Sequence, residues 1–154
     1  MTCPNPEVVF AQSFDTFKAF KNLSLEKLEQ PIPFPNSLWQ ILNHLIMWQE
    51  WQLGILSSEE VPLFDESRTW IAEKYPASQQ LLDQAIDIFH GQLKAVQHEI
   101  TRLSNSVNDQ PSAWKIIQEM SLHLSFHLGE VVLIRRLMKD YPLSHQMKEF
   151  LTQE

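Results

Sequence analysis

An all-α fold, one domain built as a four-helix bundle, is predicted by three observations. Apolar residues recur at alternating spacings of three and four over long stretches, prolines stand where helices must start or stop, and 154 residues contain only three glycines. The spacings give each helix one apolar face, and the scarcity of glycine is poor material for the many tight turns of an all-β fold. With 44% hydrophobic and 20% charged residues the chain has the composition of a globular protein, long enough to bury one core across residues 1–154.

A first helix is expected to open at Asn5-Pro6, with proline at the first helical position, to bury Phe10, Phe14 and Phe17, and to end near Asn22. Ser24 to Gln30 adds a short helical turn before Pro31, Pro33 and Pro35 enforce an extended connection. Ser37-Leu-Trp-Gln40 has capping-box spacing and starts a second helix running to about Leu56. Ser57 to Tyr75 shows no sustained period and reads as a long crossover with a turn of helix near Trp70. The third helix, Ala77 to Leu103, carries the clearest seam: Leu82, Ile86, Phe89, Leu93, Val96, Ile100 and Leu103. Pro111 opens the fourth, with seam Ile117, Met120, Leu124, His127, Val131, Ile134 and Met138, which stops before Pro142. Ser144 to Leu151 forms a last short helix, and no repeat or low-complexity tract divides the chain.

His127 interrupts its seam where an apolar residue is called for, so its imidazole needs a hydrogen-bond partner or a metal. His123, one turn earlier, is stacked on the same side of the helix, and such a pair can either hydrogen-bond structurally or aim two ring nitrogens at one ion. His44 shares its helix face with Ile41, Trp48 and Trp51, which turns it inward too. Three inward imidazoles on facing helices favour a divalent metal site with an open fourth position, as in catalytic rather than structural sites. Trp48 and Trp51 read either as core filling or as the apolar wall of a substrate pocket. Glu130 shares the face of the two histidines as a fourth ligand, an acceptor for a ring N–H, a catalytic base, or a rim carboxylate. Glu119 and Gln40, each four residues before a candidate ligand, are further acceptors for a ring N–H, while His90, His98 and His145 lie off the seams and read as surface groups.

Other chemistries are set aside. His-Leu-Ser-Phe-His at 123–127 lacks the glutamate that a zinc protease places after its first histidine, no glycine-rich phosphate loop occurs, and the Glu-x-x-His pairs of a di-iron bundle are missing, which favours a single metal. A net charge of −7 argues against a nucleic-acid partner, since such affinity rests on lysine and arginine neutralising phosphates. Cys3 is the one cysteine, which fits a reducing cytoplasm. No apolar run approaches the roughly 18 residues of a membrane span, and no basic-then-hydrophobic leader is read.

The stretches NSLWQILNHLIMWQEWQL and HLSFHLGEVVLIRRL, with LSLEKLEQPIPFP before the former, resemble the second helix, fourth helix and lead-in of the DinB-like superfamily of metal-binding bundles. The resemblance covers most of the chain, through a His-Leu pair at His44 and a His-x3-His-x-Gly motif at His123 and His127; the third helix matches only in pattern. It implies an up-down-down-up bundle with a long crossover between helices two and three, and His44, His123 and His127 as the ligands of zinc, nickel or iron. It also implies thiol chemistry, because characterised relatives include bacillithiol transferases and a mycothiol-dependent isomerase. The expected function is therefore a metal-dependent enzyme of the thiol-dependent S-transferase type, using a low-molecular-weight thiol and a small-molecule substrate, in which the metal lowers the pKa of a thiol or water. The competing expectation is a non-catalytic metal-binding or interaction module. A homodimer is expected from the general preference of such bundles for symmetric pairs.

Overall fold

The computed structural model describes residues 14, 15, 17–57, 63–106 and 110–152. Their regular structure is entirely helical: α1 (Leu25–Leu28), α2 (Leu38–Leu56), a 3-10 turn (Glu66–Thr69), α3 (Gln79–Ser104), α4 (Pro111–Leu137), a second 3-10 turn (Ser144–Gln146) and α5 (Met147–Thr152). The chain is thus a helical bundle, in which α2, α3 and α4 correspond to the second, third and fourth predicted helices and pack against one another in all three pairs. None of the described helices is long and apolar enough to cross a membrane.

Local chemistry sets the ends of the helices. Ser37 accepts a hydrogen bond from the Gln40 amide at 3.2 Å while the Gln40 side chain accepts from the Ser37 amide at 3.0 Å, so the capping box is formed. Ser78 caps α3 through the Leu81 amide, and Pro111 occupies the first turn of α4, where a missing N–H costs nothing. The α3 seam is buried as its period requires, with Leu82, Phe89, Leu93, Val96, Ile100 and Leu103 inside; Ala85 lies deeper than Ile86, which packs half-buried at the edge. On α4, Ile117, Met120, Leu124, Val131 and Ile134 complete the core, and Met138 packs half-buried beyond the helix end.

The first predicted helix needs correction. Its start and Phe10 lie outside the described residues, but residues 17–22 form turns rather than helix, and Phe17 is 54% exposed instead of buried. Asp15, Lys18 and Asn22 take φ values of 43°, 52° and 61°, in the left-handed region that a right-handed helix excludes. Hydrogen bonds from two side chains help to hold this path. The Asp15 carboxylate accepts from the Ala19 amide at 2.9 Å, and the buried Arg135 guanidinium donates to the carbonyls of Ala19 (2.7 Å) and Lys21 (2.9 Å), which a continuing helix would have kept for itself. Arg135 also donates to the Asp140 carbonyl and carboxylate, and Lys27 pairs with the same carboxylate. Phe14 and Phe20 remain buried, with Phe20 edge-to-face on Phe89 at 5.0 Å.

Candidate metal centre

The three inward imidazoles meet. His44 comes from the middle of α2, and His123 and His127 from successive turns of α4; each offers one ring nitrogen, and these atoms lie within 4.8 Å of one another. His44 and His127 are 4% and 6% exposed, while His123 is half-buried and forms the solvent side of the group. The Nε2 atoms of His44 and His123 are 3.0 Å apart. Ligand nitrogens around one tetrahedral ion at bond lengths near 2.05 Å would sit about 3.3 Å apart, so small side-chain adjustments bring this set onto a single ion.

Electrostatics keeps these rings ready to act as ligands. Burial, reinforced by the neighbouring His127 and His123, lowers the His44 pKa to about 3. Burial and His127 lower that of His123 to about 4. Both rings are therefore neutral at pH 7, the state that binds metal. His127 donates its Nδ1–H to the Glu130 carboxylate at 2.6 Å, so Nε2 is the ring nitrogen left for an ion. Of the roles open to Glu130 in the sequence, the structure thus shows that of acceptor for a ring N–H. The donor set fits a divalent ion: three imidazole nitrogens, two of them on neutral rings and the third on a ring oriented by a carboxylate, on two helices that already pack together.

The other candidates fall at differing distances. Trp48 touches His123 (ring centroids 5.1 Å) and stands edge-on to His44 (6.3 Å), whereas Trp51 packs on Trp48 and stacks on Phe64, one ring removed from the imidazoles. Gln40 and Glu119 hold no ring N–H. Gln40 is committed to its cap and to the Ile71 carbonyl at 2.9 Å, and Glu119 faces Lys115 on the exposed side of α4. His90 keeps 42% side-chain exposure beside Asp15, and His98 and His145 are exposed.

The crossover supplies what the sequence did not reveal. Trp70 stacks on the His44 ring at 3.9 Å and 12°, and the Thr69 hydroxyl lies 2.8 Å from His44 Nδ1. Phe64 closes an aromatic cluster with Trp48 and Trp51. A cavity of about 260 Å³, lined in part by Met47, Trp51, Phe64 and Thr69, abuts this cluster. A larger one of about 720 Å³ lies between residues 14–23 and α3 and is lined by none of the three histidines, so converging chemistry rather than volume marks the site.

Neither a curated protein nor a solved structure gave a match. A model of the DinB superfamily matches residues 14–131, a span that takes in His44, His123, His127, Glu130 and the crossover between α2 and α3. With more than half of its length matched, and with His44, His123 and His127 gathered at one point of a helical bundle, the chain belongs to the DinB superfamily.

Proposed function

We propose that His44, His123 and His127 bind one divalent metal ion, zinc or nickel before iron, and that the protein is a metal-dependent enzyme of the thiol-dependent S-transferase type acting on a small molecule in the cytoplasm. The observation that carries this reading is the convergence of three imidazole nitrogens within 4.8 Å, two of them on rings whose pKa burial holds far below neutrality. An ion held by three imidazoles with a fourth position open supplies Lewis acidity and lowers the pKa of a thiol or water. The residues of the chain supply the rest. Glu130 orients His127 through Oε2, and we assign its carboxylate the further role of taking up the proton released as the thiol becomes a nucleophile. Trp48, Trp51 and Phe64 provide the apolar wall against which a substrate lies, and the Trp48 indole N–H, buried without an acceptor among the described residues, offers one directional hydrogen bond. The thiol sulfur then bonds to the electrophilic atom of the substrate as the leaving group departs with the bonding pair.

Elemental analysis of protein from its native host identifies the metal. The cobalt-substituted protein is then titrated with azide and with small thiols. A ligand-sensitive spectrum, together with turnover of thiol and electrophile above that of a variant lacking all three histidines, is the expected result. An unchanging spectrum and no turnover above that variant would leave a non-catalytic, metal-stabilised module. We further propose pairing with a second copy of the chain, supported by the exposed apolar row Leu122, Phe126, Leu133 and Leu137 along α4; a monomer by light scattering at high concentration removes this.

A further inference from the structure

We infer that Thr69, from the crossover between α2 and α3, is a positioning residue that fixes the His44 tautomer and aims its Nε2 lone pair at the cluster. The inference deepens the metal-binding reading and rests on it for its purpose, though not for its geometry. A threonine hydroxyl has one proton to donate, and that of Thr69 goes to the Glu66 carbonyl at 2.8 Å, across one turn of the 3-10 helix Glu66–Thr69. The oxygen can then meet His44 Nδ1, 2.8 Å away, only as an acceptor, so Nδ1 carries the ring proton. A neutral imidazole has a single N–H, so Nε2 is bare where it faces His123.

The surroundings hold this relay in place. Thr69 is 2% exposed, with no water needed to satisfy its hydroxyl. Asp65 accepts from the Ser67 amide and caps the 3-10 turn, and Gln40, one helical turn before His44 on α2, donates to the Ile71 carbonyl two residues beyond Thr69. The segment is thus tied to the helix whose histidine it orients, while Trp70 covers one face of the ring. Glu130 does for His127 what Thr69 does for His44, with a carboxylate in place of a hydroxyl.

The test uses wild type, Thr69→Val, which keeps the shape but removes the hydroxyl, and Thr69→Ser, which restores it. Two-bond 1H–15N spectra of the metal-free proteins assign the ring proton of His44. Wild type and Thr69→Ser should show Nδ1–H, and Thr69→Val a mixed or Nε2–H ring. In zinc titrations Thr69→Val should bind about 10- to 100-fold more weakly, with Thr69→Ser recovering most of the loss. A wild-type His44 protonated on Nε2, or the same tautomer and zinc affinity in all three proteins, overturns the inference. If wild type binds no metal, the functional reading fails by itself, and the tautomers of the metal-free proteins still decide the role of Thr69. A Thr69→Ser protein that melts like wild type but shows the Thr69→Val tautomer also overturns it.

Discussion

Replacing His44 by alanine asks whether the proposed ion joins two helices. His123 and His127 stand one turn apart on α4 and are pre-aligned by its backbone, whereas His44 reaches them from α2, so a bound ion would link the two elements. With zinc at 100 times its Kd, binding to the native state adds about 2.7 kcal/mol. For a domain of this size each kcal/mol moves the melting temperature by about 2–4 °C, giving a zinc-induced rise of about 5–10 °C. Loss of a partner that merely orients a ligand weakens affinity by about 10- to 100-fold, so loss of a ligand should reach at least the upper figure. The same zinc concentration then equals the new Kd, and the gain falls to about 0.4 kcal/mol, or about 1 °C. The mutation also removes the ring stacked on Trp70, which lowers the metal-free baseline, so the quantity to compare is the shift between chelator and zinc. Calorimetry of wild type, His44→Ala and His98→Ala, an exposed control on α3, gives the three shifts. Equal shifts would mean that His44 is no ligand, and the three-histidine site would fall with it.

In chelator, the neutral burial of His44 and His123 makes stability depend on pH: their folded pKa values, about 3 and about 4, lie below the ordinary 6.5, so the unfolded state binds more protons in between. Their contribution is complete above pH 6.5 and drains away as pH falls toward 4 and then 3; urea unfolding at pH 7 and pH 5 should show the loss, reduced in His44→Ala, and identical midpoints would refute it. Asp140→Ala takes from the buried Arg135 its directly paired carboxylate, leaving carbonyls and the more distant Asp15, and should cost about 3 kcal/mol in urea unfolding. Ser37→Ala removes one half of the α2 capping box and should cost about 1 kcal/mol, while leaving the zinc-induced shift of wild type unchanged. A reduced shift would show that the start of α2 is coupled to the site.

The parts of the molecule that could be read from the sequence are those governed by neighbours in the chain. The α3 seam follows from helical period alone, and α2 and α4 start where a capping box and a proline place them. His127 was visible because a polar ring stood on an apolar seam, His123 because it stacks one turn before it, and His44 because it shares a face with Ile41 and Trp48. What escaped depends on remote partners. The turns at residues 17–22 are held by Arg135, 116 positions from Ala19, and nothing local says that the helical spacing of Phe10, Phe14 and Phe17 should not continue into a helix there. Thr69 sits in a stretch without periodicity and gains its meaning only from His44, 25 positions away. Glu130 was visible as a neighbour of the histidines, but choosing among its roles required the 2.6 Å contact to His127.

The crossover places Thr69 and Trp70 beside His44, although neither belongs to a long helix. Two kinds of constraint are thereby separated along one chain. The nitrogens that would grip an ion are spaced by helices whose other faces build the core, so changing their spacing would disturb the whole interior. The covering over them is a short stretch outside the long helices where, on the proposed function, an altered side chain changes what can approach the ion while the helices stay as they are. On the proposed function, a lineage exchanges one substrate for another by rewriting crossover residues that do not touch His44, while Thr69 and Trp70 keep its ring in place.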